Sequence, residues 1–146
     1  MAYKGKFTPK NPKKYKGDPT KIVYRSMWEV KFMQFLDDKP EIVNWSSEEI
    51  SITYLSPVDG RVHRYFPDFW VRKINTEGKL ECAVIDIKPE KQTLPPQQPI
   101  KKSARYINEV VTYTVNQAKF QAAQSFCEDR NWRFMVLTEK DLGIRY

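Results

Sequence analysis

The sequence predicts an α/β fold, a mixed β-sheet flanked by α-helices. Three observations carry that expectation: a capped amphipathic stretch from Ser26, an apolar run at Ala83-Val84-Ile85 and Ile87 with no solvent face, and a helical pattern leading into a second apolar run at Trp132 to Leu137. The order is helix, three strands, one or two helices, strand, short helix. It fits a sheet whose last strand joins beside the central one. At 146 residues the chain suits one core of ordinary size.

Residues 1–20 are rich in Lys, Pro and Gly and have no hydrophobic period. They read as an extended basic N-terminal arm that builds no core, and residues 21–146 as the domain. Ser26, with Glu29 three residues on, matches a capping box; Trp28, Phe32, Phe35 and Leu36 form the stripe of a helix that Asp37-Asp38-Lys39-Pro40 stops. Ile42, Val43 and Trp45 read as a short turn before a strand alternating through Ile50, Ile52 and Tyr54, and Pro57-Val58-Asp59-Gly60 is a hairpin turn. One return arm then covers Val62 to Lys73, and the central strand Leu80 to Lys88. Pro89, Pro95, Pro96 and Pro99 imply a non-helical crossing over residues 90–99. Lys101 to Val115 has a weak helical pattern, because Val110, Val111, Thr112 and Thr114 are β-branched. Asn116 is the expected N-cap of a stronger helix reaching Asp129, and Thr138 that of a short helix to Gly143.

Hydrophobic residues make up 40% of the chain and aromatic ones 14%, but no run has the length of a membrane span and no apolar signal core follows Met1. A soluble, non-secreted protein is expected. Cys82 and Cys127 have no Cys-x-x-Cys spacing and only His63 as a partner, which points to two buried free thiols rather than zinc. The net charge is +7, and residues 1–25 account for all of it: Lys4, Lys6, Lys10, Lys13, Lys14, Lys16, Lys21 and Arg25 stand against Asp18 alone. With Tyr3, Phe7 and Tyr15 interleaved, the segment suits a polyanion, since phosphate contacts release counterions and rings stack on bases. Lys10, Lys13, Lys14, Lys16 and Arg25 are candidate DNA contacts, together with Lys119 farther along. A solvated tail, or docking on an acidic protein, accounts for the same charge.

The chemistry lies in Phe66-Pro67-Asp68-Phe69 and Ile85-Asp86-Ile87-Lys88. If Asn75-Thr76-Glu77-Gly78-Lys79 forms a hairpin turn, pairing is symmetric about Glu77 and Asp68 faces Asp86. Like charges directly opposed on apolar strands are costly and call for a cation. Oxygen ligands from two carboxylates suit Mg²⁺, which keeps several waters. Lys88, two residues past Asp86, shares its face and would orient the attacking water or offset phosphate charge. The Ile87 carbonyl is a further candidate ligand. Ion pairing of Asp68 and Asp86 with Arg64, Arg72 or Lys88 at the surface is the competing reading. Glu29 is either the capping-box residue for Ser26 or a third acid at the metal, and one conformer is not expected to serve both.

Tyr24-Arg25-Ser26-Met27-Trp28-Glu29, Phe66-Pro67-Asp68-Phe69 and Ile85-Asp86-Ile87-Lys88-Pro89 together resemble the PD-(D/E)xK nuclease superfamily, in its TnsA-type branch. The similarity to head-completion nucleases of large contractile-tailed phages extends along nearly the whole chain, from Met1-Ala2-Tyr3 and Lys16-Gly17-Asp18-Pro19 to Thr112-Tyr113-Thr114-Val115-Asn116 and Leu137-Thr138-Glu139. This resemblance implies a restriction-endonuclease-like core, a Mg²⁺ or Mn²⁺ requirement, and Glu29, Asp68, Asp86 and Lys88 as the catalytic set. It also implies action on double-stranded DNA late in head assembly, with portal or head-vertex proteins as partners, in the cytoplasm of the infected host or on the virion. Asp86 departs from the glutamate or glutamine common in this branch, and its shorter side chain alters the metal spacing. A catalytically silent structural or DNA-binding virion protein and a TnsA-like transposition endonuclease are the alternatives.

Overall fold

A computed structural model describes residues 4–99, 101 and 103–143; Met1-Ala2-Tyr3 lie outside the described residues. In chain order the strands are β1 (Gly5–Lys6), β2 (Val23–Tyr24), β3 (Ile42–Ser47), β4 (Ile52–Leu55), β5 (Val62–Tyr65), β6 (Phe69–Ile74), β7 (Leu80–Ile87) and β8 (Arg133–Leu137). The helices are α1 (Met27–Asp38), α2 (Glu90–Thr93) and α3 (Ala104–Glu128). The main sheet has the order β3-β6-β7-β8, with β8 parallel to β7 and the other pairs antiparallel. The mixed α/β architecture expected from the element order is therefore borne out, with β7 interior and apolar: Ala83, Val84, Ile85 and Ile87 are all buried.

Helix α1 begins where its capping box sets it, with the Ser26 hydroxyl accepting the Glu29 N–H at 3.2 Å. Phe32, Met33 and Leu36 bury its inner stripe in the core with Trp45, Phe69 and Ile85. The β6–β7 turn is fixed by chemistry within it. Asn75 Oδ1 accepts the N–H groups of Glu77 and Lys79 at 2.9 and 3.0 Å, and Gly78 takes φ 78°, a conformation that favours glycine. Ile74 thereby faces Leu80 and Phe69 faces Ile85, the register centred on Glu77.

Several elements differ from expectation. Ile42–Ser47 is a full strand rather than a turn. The return arm read as continuous from Val62 to Lys73 breaks at Phe66-Pro67-Asp68, so that β5 pairs with β4 in a separate hairpin while β6 joins the main sheet. Buried Pro67 has no N–H to extend a ladder there. Residues 90–99 include the short helix α2. Helix α3 is unbroken and capped by Ser103, whose hydroxyl accepts the Tyr106 N–H at 3.2 Å, so Asn116 is a buried mid-helix residue and not a cap. Its β-branched residues cost only a few tenths of a kcal/mol each, roughly, and the Thr114 hydroxyl is satisfied on the Val110 carbonyl at 2.8 Å. Residues 139–143 form turns, with the Thr138 N–H drawn to Asp141 Oδ2 at 2.8 Å. Both cysteines are free, but only Cys127 is buried and Cys82 is half-buried.

The basic segment is irregular and extended apart from β1 and a 3₁₀ turn at Pro12–Lys14, yet it does build core. Tyr15, 8% exposed, meets the Trp45 ring edge-on at 4.8 Å, and Phe7 meets it at 5.9 Å. Asp37 accepts the backbone N–H groups of Lys10 and Asn11 at 2.7 and 3.0 Å. Those bonds offset the cost of an acid buried in the last turn of α1, where the helix dipole disfavours negative charge. The Lys14 ammonium donates to the carbonyls of Asp37 and Lys39 at 2.9 and 2.8 Å. Aromatic residues spaced without a period can still be core when a neighbouring element supplies the missing wall.

Candidate active site

Extended one step beyond Phe69 and Ile85, the β6–β7 register sets Asp68 opposite Asp86. The Asp68 N–H donates to Asp86 Oδ1 at 3.4 Å, and the Ile87 N–H donates to Asp68 Oδ2 at 2.7 Å. Asp86 is 2% exposed on the interior strand, so the competing ion-pair reading holds only in part: the acid does pair with Lys88, but below the surface. Its Oδ2 is buried without a hydrogen-bond partner, with Lys88 Nζ 3.5 Å away. Arg72 is bonded to Asn44 instead. Burial pushes the Asp68 carboxyl well above the usual carboxylate range and the neighbouring Asp86 adds to the rise, while the Ile87 N–H opposes it.

Glu29 approaches from the first turn of α1 and is 7% exposed. Its Oε2 accepts the Arg25 N–H at 3.0 Å and the Ser26 hydroxyl at 3.3 Å, whereas Oε1 is buried with no hydrogen-bond partner among the described residues. Capping therefore occupies only one of the two oxygens, so the conformer that caps α1 leaves Oε1 free for a second role. Burial raises this carboxyl too, with Glu48 adding to the effect.

Glu48 is the residue that sequence reading missed. Ser47 faces Phe69 at the end of the β3–β6 ladder, and one step farther the Glu48 N–H donates to the Asp68 carbonyl at 3.1 Å. Glu48 takes φ 56°, turning the chain away from the sheet. Glu29, Glu48 and Asp68 each offer a carboxylate oxygen within 4.8 Å of the others. The signal was reachable from the apolar positions Ile42 and Trp45, because reading residues 42–47 as a strand beside β6 puts Glu48 next to Asp68.

On the other side, Lys119 of α3 stands 5.8 Å from the ring centre of Tyr54 and 5.5 Å from that of Tyr65. Burial lowers the Lys119 pKa and Lys88 lowers it further, against the pull of Asp86. The arm's Lys10, Lys13 and Lys16 are exposed, and Arg25 is exposed but paired with Glu48 at 3.0 Å. Lys14 is committed to backbone carbonyls.

The ligand set is all oxygen, which suits a hard divalent cation. Among the described residues Glu29 Oε1 is buried without a partner and Asp86 Oδ2 meets only the Lys88 ammonium at 3.5 Å, and such an ion would satisfy both oxygens. The residues present fit the ion.

The family described as TnsA-like endonuclease N terminal matches residues 39–139, and the chain belongs to that family of endonucleases. Among individual proteins, it is 44% identical to the head completion nuclease of Enterobacteria phage T4 across 146 aligned residues, covering 97% of this chain and 95% of that protein. No solved structure matches the chain significantly. The segment matched by the family holds Glu48, Asp68, Asp86, Lys88 and Lys119, while Glu29 and the basic arm precede it.

Proposed function

We propose that this chain is a Mg²⁺- or Mn²⁺-dependent DNA endonuclease that acts late in phage head assembly, on packaged double-stranded DNA or at the head vertex beside portal proteins. One observation carries the reading: Asp68 and Asp86 oppose each other at adjoining strand positions, with the Lys88 ammonium 3.5 Å from a buried Asp86 oxygen that accepts no hydrogen bond. The similarity to a protein named for head completion supports the assembly context.

In this reading Asp68, Asp86 and the Ile87 carbonyl hold the ion, with Glu29 Oε1 as a further donor. When bound, the ion supplies Lewis acidity to the scissile phosphate and lowers the pKa of a water. Lys88 donates to the attacking water or to a phosphate oxygen, close enough to Asp86 to be held in position. Lys119 stands ready for a neighbouring phosphate, and the exposed lysines of the basic segment hold the flanking backbone.

Supercoiled plasmid incubated with Mg²⁺ or Mn²⁺ tests the proposal. Nicked circles are expected from the wild type with metal, and none from Asp86→Ala or with EDTA. Plasmid left intact by the wild type at every metal concentration overturns the enzyme reading and leaves a DNA-binding virion protein on a nuclease fold.

A further inference from the structure

The β4–β5 hairpin has one covered face and one open one. Ile52 and Tyr65 on the inner face pack on Ala123 of α3, and Lys119 stands over the rings of Tyr54 and Tyr65. Side chains alternate along strands, so the outer face carries Thr53 opposite Arg64 and Leu55 opposite Val62. Leu55 is 63% exposed, Val62 69%, and Val58 in the connecting turn 58%. We propose that this hairpin is a β-ribbon that enters the major groove of duplex DNA beside the scissile phosphate, with Leu55, Val58 and Val62 against base edges and Arg61 and Arg64 on flanking phosphates. That role rests on the endonuclease reading above and adds to it the surface that aligns the duplex.

The exposed tip is held in place by its own backbone. The Ser56 N–H donates to the Arg61 carbonyl and the Gly60 N–H to the Ser56 carbonyl, both at 2.9 Å, while the Ser56 hydroxyl accepts the Val58 N–H at 3.3 Å. Asp59 Oδ1 accepts the Arg61 N–H at 2.9 Å, and Gly60 takes φ 69°, a conformation that favours glycine. These bonds fix Val58 at the tip, and the ladder fixes Leu55 against Val62. The apolar patch is therefore pre-ordered and loses little further freedom on binding.

Charge and position select the partner. Among the described residues the ion-paired arginines are Arg25 and Arg105, which leaves Arg61 and Arg64, both exposed, without a carboxylate. Asp59, the single acid of the hairpin, is taken up by His63 Nε2 at 2.7 Å. An apolar patch flanked by two unpaired guanidinium groups fits a polyanion with apolar edges. Val62 and Asp68 are six residues apart, at most about 20 Å of extended chain, and exposed Phe66 lies between them. A turn of duplex is about 34 Å long, so the hairpin meets DNA less than one turn from a phosphate at the acid pair. A two-stranded ribbon fits the major groove, about 12 Å wide, and not the minor groove of about 6 Å. Apolar side chains in that groove meet thymine methyl groups, and arginines at its rim meet phosphates.

Fluorescence anisotropy of labelled duplex DNA with full-length protein in EDTA decides the matter. Leu55→Ser combined with Val62→Ser should weaken binding about tenfold or more, since both side chains lose apolar contact. Arg61→Gln combined with Arg64→Gln should lower the slope of log affinity against log salt by about 1.8. The wild type should bind a duplex with uracil in place of thymine several-fold more weakly, and the double serine variant should not distinguish the two. Wild-type affinity in the serine variant overturns the inference and assigns the apolar tip to a protein partner. Equal wild-type affinity for the thymine and uracil duplexes overturns it as well. Should the serine variant fail to fold, the arginine variant and the uracil duplex carry the decision. A wild type that nicks plasmid while both variants bind DNA as it does leaves the endonuclease reading standing without this surface. Binding that depends on the hairpin, with plasmid left intact at every metal concentration, keeps the surface and overturns the endonuclease reading.

Discussion

Asp68 and Asp86 are clasped across the β6–β7 hairpin: Asp86 Oδ1 takes the Asp68 N–H, and Asp68 Oδ2 takes the N–H of Ile87 next to Asp86. Each acid thus keeps a backbone bond on one oxygen. Substituting asparagine preserves that acceptor and removes only the charge. Asp68→Asn and Asp86→Asn are expected to lose plasmid nicking by roughly 10³-fold or more, in line with removal of a preorganised electrostatic group. Their thermal midpoints in EDTA should equal or exceed that of the wild type, because two opposed carboxylates no longer meet. Nicking retained within a few-fold in either variant would contradict the assigned roles.

The raised carboxyls of Asp68 and Glu29 give stability a defined pH dependence. Above about pH 4 the unfolded chain releases these protons while the folded chain still holds them. Their contribution therefore favours folding on the acid side and is lost as pH rises from there toward the raised folded values. A divalent cation replaces the protons and reverses the trend. In EDTA the wild-type midpoint should fall from pH 6 to pH 8 by more than that of Asp68→Asn. Mg²⁺ should raise the wild-type midpoint more at pH 8 than at pH 6. Calorimetric shifts of equal size at the two pH values would count against metal binding by these groups.

The parts of the site legible in the sequence were those fixed by local chemistry. Asn75 and Gly78 define the turn, the turn defines the register, and the register brings Asp68 to Asp86; Ser26 and Glu29 fix the start of α1 in the same way. Glu48 was harder to find, since its place depends on β3 pairing with a strand more than twenty residues later, and Asn44, Ser46 and Ser47 obscure the strand pattern that Ile42 and Trp45 mark. The break at Pro67 sends β5 and β6 to different sheets, a choice made by tertiary packing rather than propensity. Helix α3 shows the same override, running through β-branched residues that argue locally for a boundary.

The basic segment combines buried core contacts with exposed lysines, and substitutions separate the two better than truncation. Deleting residues 2–16 would remove Tyr15 from the core along with the lysines. Replacing exposed Lys10, Lys13 and Lys16 with glutamine leaves the Tyr15 and Asp37 contacts in place. If these lysines contact phosphates, each loss reduces the slope of log affinity against log salt by about 0.9, and the melting curve should not move. Filter binding to duplex DNA at several salt concentrations gives the slope. An unchanged slope would assign the segment's charge to protein docking.

Tyr15 measures the structural half of that segment. Its ring lies edge-on to fully buried Trp45, and its hydroxyl accepts the Ser47 N–H at 3.1 Å on the strand that leads to Glu48. Tyr15→Ala removes both and opens a cavity beside the indole, an expected cost of about 3 to 5 kcal/mol. Tyr15→Phe keeps the ring and leaves the buried Ser47 N–H without its acceptor, an expected cost of about 1 to 3 kcal/mol. Urea denaturation of the two variants separates the ring from the hydroxyl. If the segment were only a solvated tail, neither variant would shift the midpoint, and the position of Glu48 would have no support from the N-terminal side. A loss of several kcal/mol in Tyr15→Ala instead ties the basic segment, β3 and the acid cluster into one folded unit.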